Sequence, residues 1–237
     1  MSFARLLLFS GIFQLCFLSS GLSQSTPKKA LLALSKTDHT LAIVDPVSLK
    51  VLARIPVGPD PHEVVASTDG GLAYVSNMGG GRLHQLDIID LREQKALPFL
   101  DTGPITGLHG LSYVGDKLWF TAEGAKSIGR FDPAKDSIDW IMGTGQDRTH
   151  MIYVRKDEQE IYTTNVESGT VSIFEHHQQS GNAMPSHPEW EHTIIPVGRG
   201  SEGFDVSPRG NELWTVASET GTIAIIDIAG KKTNRHH

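Results

Sequence analysis

Thr222-Ile223-Ala224-Ile225-Ile226-Asp227 is the last of five copies of one short pattern in a chain of 237 residues. The others are Thr40-Leu41-Ala42-Ile43-Val44-Asp45, Arg82-Leu83-His84-Gln85-Leu86-Asp87, Ser127-Ile128-Gly129-Arg130-Phe131-Asp132 and Thr170-Val171-Ser172-Ile173-Phe174-Glu175. Each closes on an acid, best read as capping the turn that follows. The acid-to-acid spacings of 42, 45, 43 and 52 residues suit a four-stranded propeller blade and are too long for leucine-rich or ankyrin units.

Working outward, a second column precedes each copy: Leu31 to Lys36, Leu72 to Asn77, Leu118 to Glu123, Ile161 to Val166 and Leu213 to Ser218. These runs are β-branched or aromatic and are bounded by Gly, Asp, Ser or Asn, which is the signature of strands. Trp119 and Trp214 share this column and read as packing between blades. A third column (Pro56-Val57-Gly58, Asp101-Thr102-Gly103, Gly143-Thr144-Gly145, Pro196-Val197-Gly198) leads into inner strands at Pro61 to Ser67, Leu108 to Val114, Thr149 to Arg155 and Ser201 to Ser207. No stretch of helical period intervenes. The expectation is an all-β propeller with one domain over residues 24–237 and repeats over about 30–229. Counting strands gives eighteen, or about four and a half four-stranded blades. The first blade lacks its inner strand and the last its outer one, because Lys231 to His237 is short and polar. That reading describes an incomplete seven-bladed ring from a truncated sequence, or else a ring closed by self-association or an unusually small five-bladed ring.

Composition excludes other classes. Hydrophobic residues make up 39% and charged ones 20%, and 21 Lys and Arg against 27 Asp and Glu leave a net charge of −6. A chain of that balance is neither disordered nor suited to nucleic acid. Arg5, the apolar run Leu6 to Leu18 and Gly21-Leu22-Ser23 have the order of a secretory signal cut after Ser23. Thirteen apolar residues are too few to span a bilayer. Residues 1–23 contain the only cysteine, Cys16, so the mature chain, of charge −7, has no thiol and no disulfide. The expected location is periplasmic or secreted, with no membrane span after cleavage.

Ile55-Pro56-Val57-Gly58, Ser67-Thr68-Asp69-Gly70 and Ala73-Tyr74-Val75-Ser76-Asn77 resemble the YVTN-type β-propeller repeat of exported bacterial proteins. Leu118-Trp119-Phe120-Thr121-Ala122-Glu123-Gly124 with Ile128-Gly129-Arg130-Phe131-Asp132-Pro133 is similar to repeats of streptogramin lyase-like propellers. The first resemblance implies a binding or scaffold module with a small molecule or protein at the channel mouth. The second implies a metal-assisted lyase or lactonase, in which His109 and Glu123 would be the catalytic pair, a base near neutral pH beside a cation. A third possibility is an accessory subunit of a periplasmic redox enzyme.

Aligning the inner strands puts His62, His109, His150 and Glu202 at nearly one blade position, and so together at one end of the channel. Three imidazoles and a carboxylate suit a divalent metal ion. The competing reading is that each His fills a turn of its own blade. The stretch His176 to His192, with four His, reads as a surface loop that accounts for the long spacing. No phosphate loop, Gly-x-Ser-x-Gly elbow or His-Glu-x-x-His helix is present.

Overall fold

The computed structural model describes residues 26–177 and 189–236; the leader expected at 1–23 and most of the His-rich loop lie outside them. Among the described residues there is no helix, and therefore none long and apolar enough to cross a membrane. The strands fall into five antiparallel sheets in chain order. Blade 1 is β1 (Leu31–Ser35), β2 (Thr40–Val44) and β3 (Val51–Pro56). Blade 2 is β4 (Pro61–Ala66), β5 (Leu72–Asn77) and β6 (Gln85–Asp90), with an outer strand split into β7 (Lys95–Ala96) and β8 (Leu100–Asp101). The split falls at Leu97-Pro98-Phe99, where proline has no N–H for the ladder. Blade 3 is β9 (Leu108–Val114), β10 (Lys117–Ala122), β11 (Ser127–Asp132) and β12 (Ser137–Gly143). Blade 4 is β13 (Thr149–Val154), β14 (Glu160–Asn165), β15 (Thr170–His176) and β16 (Trp190–Pro196). Blade 5 is β17 (Ser201–Val206), β18 (Glu212–Ala217), β19 (Thr222–Asp227) and β20 (Lys232–His236).

The expected all-β propeller of four-stranded blades is what folds, with three local corrections. First, blade 5 has the outer strand that the polar tail argued against. β20 pairs with β19 after a tight turn in which the Gly230 amide donates to Asp227 Oδ1 (3.2 Å), and Thr233 Oγ1 donates to the Pro196 carbonyl (3.3 Å). An outer strand faces solvent, so it needs no apolar alternation. Second, the strand-ending acid of blade 2 is Asp90, whose Oδ1 accepts from the Arg92 and Glu93 amides (both 2.9 Å). Asp87 instead sits mid-strand and accepts from the Gly58 amide and Asn77 Nδ2. The hairpin after β5 spans residues 78–84, whereas the other blades close theirs in four residues; that insertion shifts the copy by three. Third, Ser35, Ala122, Asn165 and Ala217 pair with the first residue of the third strand as Asn77 pairs with Gln85, so Ala73 to Met78, not Leu72 to Asn77, matches Leu31 to Lys36 and the other three runs. The turn-capping role holds at Asp45, whose Oδ1 accepts from the Val47 and Ser48 amides, and at Asp132, whose Oδ1 accepts from the Ala134 amide, but not at Glu175, which lies inside β15 and pairs with Lys231.

One repeated bond fixes each blade's exit. The amides of Val57, Thr102, Thr144 and Val197 donate to the carbonyls of His39, His84, Lys126 and Gly169, the residue before the third strand in each case (2.8–2.9 Å). Four apolar clusters fill the four junctions between successive blades. Leu41 and Ile43 meet Ala73 and Val75; Tyr74 and Leu86 meet Leu118 and Phe120; Trp119 and Ile128 meet Ile161 and Phe174; Tyr162 and Ile173 meet Leu213 and Ile226. Stability in such a stack comes from nearest-neighbour interfaces. Among the described residues no hydrogen bond or ion pair joins blade 1 to blade 5.

Candidate functional site at the inner-strand ends

Each inner strand of blades 2 to 5 has a β-bulge near its start, where two residues oppose one on the second strand: His62-Glu63 against Ser76, His109-Gly110 against Thr121, His150-Met151 against Thr164 and Glu202-Gly203 against Val216. A bulge re-aims its side chains and ends regular pairing. The aligned His/His/His/Glu column is therefore the bulge column.

Hydroxyls lock these bulges to the next blade. Ser76 Oγ accepts from the Glu63 amide (3.1 Å) and donates to the His109 carbonyl (2.6 Å). Thr121 Oγ1 accepts from the Gly110 amide (2.8 Å) and donates to the His150 carbonyl (2.5 Å). Thr164 Oγ1 accepts from the Met151 amide (3.3 Å) and donates to the Glu202 carbonyl (2.7 Å). Gly110 is required by proximity, since a Cβ there would lie 2.4 Å from the His150 carbonyl oxygen. This close approach brings the inner strands of blades 3 and 4 together.

The three histidines consequently meet. Ring centroids of His62 and His109 are 4.4 Å apart and those of His109 and His150 3.8 Å. His62 Nδ1 and His109 Nε2 share a hydrogen bond (2.7 Å), and Glu123 Oε1 lies 2.5 Å from His150 Nδ1. Ligand atoms of His109, His150 and Glu123, all buried, lie within 4.8 Å of one another. His109 is 3% exposed, and its Nδ1 is buried with no hydrogen-bond partner. A buried polar atom without a partner costs free energy unless a ligand satisfies it. Burial, reinforced by the neighbouring charge of His150 and His62, pushes the His109 pKa down to about 2, so the ring is neutral and able to coordinate.

Glu202 has the bulge position but an exposed side chain, and it stands outside this group of close donors. Its main chain, through the bond from Thr164, is the part that holds blade 5 to blade 4. Glu123 enters from the hairpin after β10 rather than from the inner strand. Its Oε2 accepts from Arg148 Nε (3.3 Å), Arg148 reaches Glu167 (3.6 Å), and Arg199 pairs with Glu167 and Glu219. Acid from one blade's hairpin and Arg from the next blade's entry loop thus alternate across blades 3 to 5. On the other side Asp60 and Lys36 contact His62. Glu63 lies close enough to His150 to feel its charge, yet burial dominates and raises its carboxyl pKa.

Sequence reasoning missed Asp60, Lys36, Arg148 and the hydroxyl column. The column was visible as Ser76, Thr121 and Thr164 at one position of the second strands. Asp60 and Arg148 immediately precede inner strands and have φ of +56° and +54°; Gly107 and Gly200 hold the same position at +71° and +76°. Where this left-handed position is not glycine, the side chain belongs to the site. In the His-rich stretch, His176 and His192 lie in strands; His176 and His177 pair with Glu189 and Glu191, and His192 stacks on Phe174.

No family model and no curated relative matches the chain. Solved structures do. The chain is similar to dihydro-heme d1 dehydrogenase NirN in complex with DHE (14% identity, TM-score 0.64), covering 90% of this chain and 44% of that one. It is similar to U3-55K (16%, TM-score 0.69), covering 88% and 60%, and to Kuenenia stuttgartiensis hydrazine synthase (13%, TM-score 0.56), covering 92% and 80%. The chain thus spans about half the length of NirN and three fifths of U3-55K. Likenesses at this identity show the fold alone, and together with the five sheets in chain order they establish that the chain is a β-propeller.

Proposed function

We propose that this propeller is a binding module that holds a divalent transition-metal ion at the inner-strand ends, with His109, His150 and Glu123 as donors. The observation that carries the reading is the close group of His109, His150 and Glu123 donor atoms, together with a His109 Nδ1 that is buried without a partner. Two nitrogens and one oxygen suit Zn²⁺ and its neighbours in the first transition row, and three protein donors leave a position open for a small molecule or a partner's side chain. The YVTN-type resemblance and an exported location, resting on the leader-like residues 1–23, belong to the same reading.

Binding is favoured over a lyase or lactonase reaction by one feature. A general base needs a pKa near the working pH, whereas burial holds that of His109 at about 2.

Calorimetric titration of the metal-free chain with Zn²⁺ tests the proposal. The expected result is one tight site per chain, weakened at least 100-fold in His109→Ala and His150→Ala with circular dichroism unchanged, and retained when His176 and His177 are replaced by Gln. A wild-type chain that takes up no zinc at micromolar concentration, or a His109→Ala variant that binds as the wild type does, would overturn it.

A further inference from the structure

The buried donor is connected to the surface through one more histidine and two competing partners. Lys36 Nζ lies 2.7 Å from His62 Nε2, and Asp60 Oδ1 lies 3.1 Å from the same nitrogen; Lys36 and Asp60 are themselves 3.0 Å apart. A lysine ammonium only donates and a carboxylate only accepts, so they demand opposite tautomers of His62. If Asp60 accepts from His62 Nε2–H, then His62 Nδ1 must accept from His109 Nε2–H, and His109 Nδ1 is left as a bare lone pair. If Lys36 donates to His62 Nε2, then His62 Nδ1–H donates to His109 Nε2, and His109 Nδ1 carries a proton that has no acceptor. Both arrangements hold the same number of protons on two neutral rings. Neutrality accords with the environment: burial and the Lys36 charge lower the pKa of His62, against the pull of Asp60.

We infer that Asp60, His62 and His109 form a tautomer relay, in which the Asp60-bonded state presents His109 Nδ1 to a metal and the Lys36-bonded state closes it. This rests on the metal-binding reading above and assigns its regulation. Asp60 and His62 are positioning residues acting through His109, in the way that outer carboxylates fix the ring nitrogen of a ligating histidine. Metal binding then draws His62 Nε2–H onto Asp60 and displaces Lys36 from that nitrogen, so that occupancy of the buried site is reported at the half-exposed Lys36. The placement of Asp60 favours a role beyond capping, since it occupies a left-handed position where two sister blades use glycine.

That position supplies variants that keep the fold. Asp60→Gly introduces the residue found at 107 and 200, removing the carboxylate without backbone strain. Lys36→Met removes the competing donor from an exposed hairpin. The measurement is long-range ¹H–¹⁵N correlation on the metal-free chain with ¹⁵N-histidine, together with Zn²⁺ titration. His109 is expected to carry its proton on Nδ1 in Asp60→Gly and on Nε2 in Lys36→Met. Zinc affinity should fall about 10–100-fold in the first and rise several-fold in the second. An identical His109 tautomer in both variants would overturn the relay, as would zinc binding unchanged in both. If the wild type binds no zinc, the proposed function falls, while the tautomer measurement, made without metal, still decides the relay.

Discussion

β10 reads Lys117-Leu118-Trp119-Phe120-Thr121-Ala122 and β18 reads Glu212-Leu213-Trp214-Thr215-Val216-Ala217, two second strands with the same hairpin register. Trp119 is 0% exposed, edge-on to Trp140 at 5.5 Å with the Arg130 guanidinium 5.1 Å from its ring centre. Trp214 is 44% exposed, with its Nε1 donating to Glu212 Oε2 (3.1 Å). The next column position separates them further: Thr121 clamps two inner strands, while Val216 is 49% exposed. The backbone is alike and the local sequence nearly so. What differs is that blade 4 covers the face of blade 3, and no described residue covers the corresponding face of blade 5. Burial in a repeat fold is conferred by the neighbouring repeat and not by the repeat itself.

The strongest way to break this comparison is a pair of truncations. Trp119→Ala should destabilise the chain by about 3–5 kcal/mol in denaturant unfolding, the cost of a large core cavity, and Trp214→Ala by about 1 kcal/mol or less. Equal losses would mean that the Trp214 face is covered. A smaller contrast comes from the clamp. Thr121→Val should cost about 1–3 kcal/mol by orphaning the Gly110 amide and the His150 carbonyl, whereas Val216→Thr should stay within about 0.5 kcal/mol of wild type; the same measurement applies, and a neutral Thr121→Val would deny the clamp its role.

The smallest effect lies on the outer strands. Blade 4 has His192 opposite Phe174, rings 4.2 Å apart, where blade 5 sets Thr233 opposite Ile226. Burial lowers the His192 pKa from its ordinary 6.5. Because the unfolded chain takes the proton first, the contribution of this residue is complete above about pH 6.5 and declines as the pH falls from there through the folded value. An NMR titration of its ring protons should therefore show a midpoint below 6.5; a midpoint at 6.5 would place the ring in open solvent.

The blade period, the strand columns and the convergence of His62, His109 and His150 were legible because a repeat writes each position several times. Asp87 misled because a seven-residue Gly-rich hairpin, residues 78–84, placed a second acid at the expected spacing, and loop length is set locally rather than by the period. Glu123 entered the sequence reading only through a family likeness. Its partner Arg148 was passed over because acid and arginine lie 25 residues apart, on different blades.

The sequence by itself therefore determined the architecture, most of the turns and which histidines share a blade position, since each follows from alternation and spacing along one chain. The tertiary structure alone decided which of the four bulge side chains are buried and which acid faces them. It also set Lys36 and Asp60 against one another across a single ring nitrogen. Those outcomes depend on how closely one blade approaches the next, at Gly110 and through the hydroxyls of Ser76, Thr121 and Thr164, and contacts between distant segments leave no period in the sequence.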